Sequence, residues 1–315
     1  GSPSPSRPFF VVNNLRRAAP VSLGHWLEMR FSPSVGLVYS LIWCLVWMVF
    51  NLGLYIYGGA LVLHTLVGFN MHLSIIGLSL VAALYTLMGG FRAVVATDIL
   101  QLMLLFFPFI ILAGLILVDA GGFGTLLSNF APDNMNPDDL SKGDLFATKT
   151  PHGPVAIMLI GGLFKAFSYW STEAQILQRP LSTRNPEGAS TAYLGSVAWI
   201  IFLKPFLVII PVLVALPMVP LLENPDQIGP WLIIEYLPPG MYGMIIIGLV
   251  AGFLSSADSQ INAFCTMFTS DLVQRRLCKN REPLFYLRLS KVLGLIFTVA
   301  AIGMAYWIGS NRSGM

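Results

Sequence analysis

Long apolar stretches broken by short polar ones set the pattern of this chain. Seven stretches are near the ~20 residues needed to cross the hydrocarbon of a bilayer. They run at about 35–66, 73–88, 93–118, 155–175, 192–216, 241–268 and 284–308. The expected fold is therefore all-α, a polytopic membrane bundle of about seven transmembrane helices. Within 241–268 the apolar run is interrupted by Gly252-Phe253-Leu254-Ser255-Ser256-Ala257-Asp258-Ser259-Gln260-Ile261-Asn262. Polar groups at membrane depth are expensive and usually functional. At 100° per residue, Gly252, Ser255, Ser256 and Ser259 share one face, which Asn262, Thr266 and Ser270 continue, with Asp258 on its edge. Hydroxyls and a freed backbone carbonyl are hard oxygen ligands suited to an alkali cation. The same spacing also suits a helix that uses small residues to pack closely.

Composition agrees with the pattern. Hydrophobic residues make up 56% and charged residues 10%, with a mean hydropathy of +0.74; soluble domains carry roughly 25% charged residues. Charge placement orients the chain. Arg7, Arg16, Arg17, Arg30, Arg92, Arg179, Arg184, Arg275, Arg276, Lys279, Arg281, Arg288 and Lys291 all fall inside if the first span runs outward. That bias follows the positive-inside rule and makes the first residues cytoplasmic. It also accounts for the +3 net charge, so no nucleic-acid partner is expected. Cys44, Cys265 and Cys278 form no disulfide or metal pattern. His-Glu-x-x-His and Gly-x-Ser-x-Gly are absent, so no enzyme is expected.

Two further spans are unusually polar. The fourth and its exit hold Lys165, Ser168, Tyr169, Trp170, Ser171, Thr172, Glu173, Gln175 and Gln178. This fits a broken helix lining a cavity, or a span that ends near Trp170 and continues as a cytoplasmic turn. Tyr169 and Trp170 could stack on a solute ring or belong to an interfacial belt. Lys204 lies mid-span before Pro205, where a buried ammonium needs a partner or water. Asp98, at the cytoplasmic start of the third span, suits a helix cap by position, or a guide for a cation.

Three motifs together resemble the sodium:solute symporter family, which includes the sodium/glucose cotransporters. They are Gly89-Gly90 through Ala93-Val94 and Thr97-Asp98 to Gln101; Tyr169-Trp170-Ser171-Thr172-Glu173 with Gln178-Arg179-Pro180-Leu181; and Ser255 to Asn262, closing with Phe268-Thr269-Ser270-Asp271. The resemblance implies two inverted repeats of five helices in a LeuT-like bundle, of which this chain holds a part: 1–33 a cytoplasmic segment, 34–118 three helices of the first repeat, 119–154 an external loop, 155–308 four helices of the second, and 309–315 a tail. The first two and the last core helices are expected to be missing, which would leave open helix surfaces and poor stability in isolation.

The resemblance further implies a sodium site at the Gly252 carbonyl and the Ser255 and Ser256 hydroxyls. Asp98 and Asp258 would lie on the sodium pathway, and Tyr169, Trp170, Glu173 and Lys204 at the substrate or gate. Lys204 after Leu203, with the aromatic pair, makes a monosaccharide the leading solute, although Phe167-Ser168 departs from the sugar branch. Amino acids or carboxylates are alternatives. Sodium would be the coupling ion, with no other cofactor, and the bilayer of a plasma (inner) membrane the setting. The competing functions are a solute-sensing module of a signalling protein and an inactive truncated transporter.

Overall fold

The computed structural model describes residues 22–119, 121–122, 173, 176, 179, 182–183, 186–198 and 228–312. Among them the structure is helical. Helix α1 spans Leu23–Arg30. Then come α2 (Pro33–Val67), α3 (Met71–Gly90) and α4 (Val94–Asp119). Helices α5 (Pro186–Ala198) and α6 (Ile228–Tyr236) follow, and α7 (Gly240–Leu277) and α8 (Pro283–Arg312) complete the described chain. Helices α2, α3, α4, α7 and α8 are long and apolar enough to cross a membrane. Five of the seven expected spans are thus described. The span expected at 155–175 falls outside the described residues, as does most of the one at 192–216, although α5 begins at Pro186, six residues ahead of it.

Local chemistry sets the helix starts. Ser22 caps α1, its hydroxyl accepting the amide of His25 at 2.9 Å. Ser32 caps α2 in the same way, with Pro33 at the first helical position, where its missing N–H costs nothing. Asn70 caps α3 by accepting from the amides of His72 and Leu73. Helices α3 and α4 would form one continuous rod but for Gly90, whose φ of 63° and ψ of −164° only glycine adopts readily. Two π-helical turns, Trp43–Trp47 and Leu63–Val67, interrupt α2. A longer one, Phe268–Leu277, ends α7. Because of it, α7 runs nine residues past the boundary expected from hydropathy. The extension carries Asp271, Arg275 and Arg276, which an apolar-run criterion discards.

The chain divides into two compact units. The first comprises Gly1–Phe106, Ala174–Leu194 and Gly243–Met315; the second comprises Phe107–Glu173 and Gly195–Tyr242. The core of the first unit joins α2, α3, α7 and α8. Cys44, Met48, Leu52, Ile56 and Ala60 recur every fourth residue of α2 and meet Phe297, Ala301 and Ala305 of α8. Ile75 and Ala82 of α3, and Ile261, Phe264 and Met267 of α7, fill the remainder. Phe264 stacks on Phe297 with ring centroids 4.0 Å apart. Small residues bring backbones together: a side chain at Gly248 of α7 would collide with the Leu104 backbone of α4. Close approach of this kind drives helix association in lipid, where apolar burial gives no advantage. Large apolar side chains such as Leu73, Met88, Ile99 and Val299 point outward, as lipid-facing positions require. In the second unit Tyr236 donates to Asp119 at 2.8 Å, and Leu232, Ile233 and Leu237 are buried.

Candidate functional site

The polar run of α7 lies in the first unit, flanked by α3 and α4. The Gly252 carbonyl and the Ser256 hydroxyl meet at 3.1 Å, the hydroxyl donating one turn back. Ser255 turns instead to Asp98 of α4 and donates to its Oδ1. The expected trio is therefore split: Gly252 and Ser256 form one oxygen pair, and Ser255 bridges to the Asp98 carboxylate. Each of these residues is partly exposed.

Asp98 does not cap α4, as its sequence position suggested. It lies inside the helix, and its carboxylate is satisfied across the bundle. Oδ2 accepts from Arg179 Nη2 at 2.5 Å, and the same nitrogen donates to Ser259 Oγ at 2.8 Å. Ser259 in turn lies 2.8 Å from the Ser255 carbonyl and 3.1 Å from Asp258 Oδ1. The cluster is thus a chain of oxygens from Asp98 through Ser255 and Ser259 to Asp258, with one guanidinium attached.

Asp258, at the edge of the polar face of α7, is fully buried. Its Oδ2 accepts from the Tyr85 hydroxyl of α3 at 2.5 Å; that hydroxyl also lies 3.2 Å from the Leu254 carbonyl. A buried carboxylate without such donors would be prohibitive. The stripe continues as expected. Asn262, Thr266 and Ser270 line a cavity of about 400 Å³ with Thr86, Thr269 and Lys291. Thr86 and Thr269 are buried, and their hydroxyls find no partner among the described residues.

One buried acid was given no role by the sequence. Asp271, in the π-helical end of α7, accepts from Ser22 at 2.6 Å, Ser40 at 2.8 Å and Ser270 at 2.7 Å. Beside it, Arg276 contacts Glu28 at 3.2 Å and donates to the Pro33 carbonyl. These contacts fasten α1 and the start of α2 to α7. Of the expected gate residues, Glu173 is fully buried, whereas Tyr169, Trp170 and Lys204 fall outside the described residues.

Among the described residues no three His, Cys, Asp or Glu side chains form a transition-metal site. The donor set on α7 is carbonyl, hydroxyl and carboxylate oxygen, the chemistry of a hard cation.

The chain is 25% identical to the sodium/glucose cotransporter of Vibrio parahaemolyticus, over 91% of its own length and 56% of that protein's. It is 27% identical to sodium/myo-inositol cotransporter 2 of Oryctolagus cuniculus, covering 80% of this chain and 41% of the relative. With the sodium/iodide cotransporter of Homo sapiens the identity is 28%, over 92% and 45%. The chain therefore spans about half the length of these relatives. Its fold matches the substrate-bound outward-open state of a Na⁺-coupled sialic acid symporter with a TM-score of 0.81, at 22% identity, covering 95% of this chain and 64% of that one. The bundle is LeuT-like, and the chain is an integral, multi-pass membrane protein. The family model for sodium:solute symporters matches residues 7–312, nearly the whole sequence, and the chain belongs to that family.

Proposed function

We propose that this protein carries out sodium-coupled symport of a small organic solute by alternating access. The observation that carries the reading is the oxygen cluster on one turn of α7. The Gly252 carbonyl, with Ser255 and Ser256, offers hard ligands to sodium, and Asp98 supplies a carboxylate beside Ser255. Asp98 and Asp258 line the route by which the ion leaves. Sodium binding would favour one arrangement of the bundle and raise solute affinity by linkage. Solute release on the side of the positive loops, taken as cytoplasm, would complete a cycle driven by the inward sodium gradient. The membrane would be the plasma membrane.

A monosaccharide is the leading solute, supported by the names of the sugar and inositol relatives. Tyr169, Trp170, Glu173 and Lys204 would contact or gate it. The iodide and sialic acid relatives warn that solute choice varies within one fold. The test is uptake of labelled monosaccharides into proteoliposomes, with sodium or choline outside, using the protein as its gene encodes it. Ser255→Ala and Ser256→Ala should each abolish the sodium-dependent component. Equal sodium dependence in both variants and the parent would refute the site.

A further inference from the structure

We infer that Arg179 is a tethered cation that competes with sodium for the Asp98–Ser255–Ser259 cluster and so closes the ion route when sodium is absent. The inference rests on the sodium site proposed above and adds its regulation. Asp98 has two oxygens with two different duties. Oδ1 accepts the hydroxyl of Ser255, a proposed sodium ligand. Oδ2 accepts Arg179 at 2.5 Å. A sodium ion taking the free lone pairs of Ser255 would lean on the same carboxylate that neutralises the guanidinium. One carboxylate cannot fully neutralise two cations, and two positive charges a few ångströms apart in a partly buried site repel.

The second contact sharpens the competition. The nitrogen of Arg179 that reaches Asp98 also donates to Ser259, one turn beyond Ser255 on α7. The guanidinium therefore straddles α4 and α7, and does at this point what a coordinated cation would do: it draws oxygens of two helices together. The side chain of Asp98 is 19% exposed and that of Arg179 37%, so the pair is partly open and the arginine has room to withdraw. A planar, permanently charged fork suits this duty better than an ammonium.

The remaining neighbours fit. Asp258 faces Ser259 at 3.1 Å but is held by Tyr85 at 2.5 Å. It keeps its own donor when Arg179 withdraws, so the cluster does not collapse. Displacement of Arg179 then couples ion occupancy to a break between α4 and α7.

The experiment is equilibrium binding of ²²Na⁺ to the purified full-length protein at constant ionic strength, with choline as the balancing cation. Arg179→Gln should lower the sodium concentration for half-saturation about tenfold, because it removes the competitor and leaves the ligands. Arg179→Lys, which keeps the charge, should stay within about threefold of the parent. Equal sodium affinity in the parent and Arg179→Gln would overturn the inference while leaving the sodium site standing. Loss of binding in Arg179→Gln, with Arg179→Lys normal, would also overturn it, since the charge would then be assisting sodium. Absence of saturable binding in the parent would sink the site and the inference with it. If Arg179→Gln fails to fold, Arg179→Met removes the charge with a side chain of similar length and should tighten sodium by a similar factor; no change there overturns the competition as well.

Discussion

Replacing Asp271 with alanine should free helix α1 from the bundle. Two of its hydrogen bonds are long-range: Ser22 at 2.6 Å and Ser40 at 2.8 Å, from residues 249 and 231 positions away. Hydrogen bonds to a charged group contribute roughly 1.5–3 kcal/mol each, so the pair holds α1 and α2 to α7 with about 3–6 kcal/mol. Deleting the acid also removes the cost of keeping its charge 4% exposed, which offsets several kcal/mol. Ser22 keeps one bond, to the amide of His25. The net loss expected is about 2–3 kcal/mol, or roughly 30- to 150-fold in the opening equilibrium at 1.4 kcal/mol per tenfold. The partly exposed Arg276–Glu28 pair cannot compensate, being worth about 0–1 kcal/mol. Amide hydrogen exchange in detergent reads this directly. The peptide covering Leu23–Arg30 should exchange faster by that factor, while one from the middle of α8 should not change. Asp271→Asn, which keeps the shape and one acceptor, should fall between. An α1 peptide unchanged in Asp271→Ala would refute the reasoning, and equal acceleration in α8 would show global loosening instead.

Tyr85→Phe removes the 2.5 Å donor from the fully buried Asp258. It should cost about 1.5–3 kcal/mol, seen as a thermal midpoint lower by several degrees in detergent; an unchanged midpoint would mean that the carboxylate is satisfied elsewhere. Docking of α1 should also depend on pH through His25. Burial, and then the Arg275 charge, lower its pKa against the opposing pull of Asp271 and Glu28. The unfolded segment then binds more protons than the docked one below the ordinary value of about 6.5. Docking is full above that pH and weakens as pH falls through the lowered pKa. Exchange of the α1 peptide, corrected for intrinsic rates, should rise between pH 7.5 and 5.5, and His25→Gln should flatten the response.

Much of this was legible in the sequence, for reasons visible in particular residues. The spans follow from apolar length, and the face shared by Gly252, Ser255 and Ser256 follows from helical geometry. What one sequence does not carry is which helix that face meets. Tyr85 and Asp258 are 173 positions apart, and Arg179 and Asp98 are 81 apart; no periodicity links them. By position alone Asp258 therefore stands at the edge of the polar face, and Asp98 suits a cap or a guide for a cation. Nothing around Ser22 or Ser40 points to their common acceptor, which lies 249 and 231 positions away. The π-helical turns have no composition of their own, so the polar extension of α7 to Leu277 was missed, and with it the place where α1 is fastened. The motif Phe268-Thr269-Ser270-Asp271 did mark the spot without revealing its use.

The pairing of α2 with α8 has a consequence for how the protein is made. Met48 and Leu52 find Phe297 and Ala301 only after roughly 250 further residues have been synthesised, which takes on the order of tens of seconds at about 5–20 residues per second. Until then α2 must wait in the bilayer without its final neighbour. Its long apolar run lets it do so. The wait is harder for Ser40 and Asn51, buried in the finished fold at 0% and 7% exposure: on the nascent chain they face lipid or a temporary partner. Helix α2 is thus under two demands, solubility in lipid while alone and pairing of Ser40 with Asp271 once α7 is made. The few polar residues along α2 are the compromise between insertion and assembly.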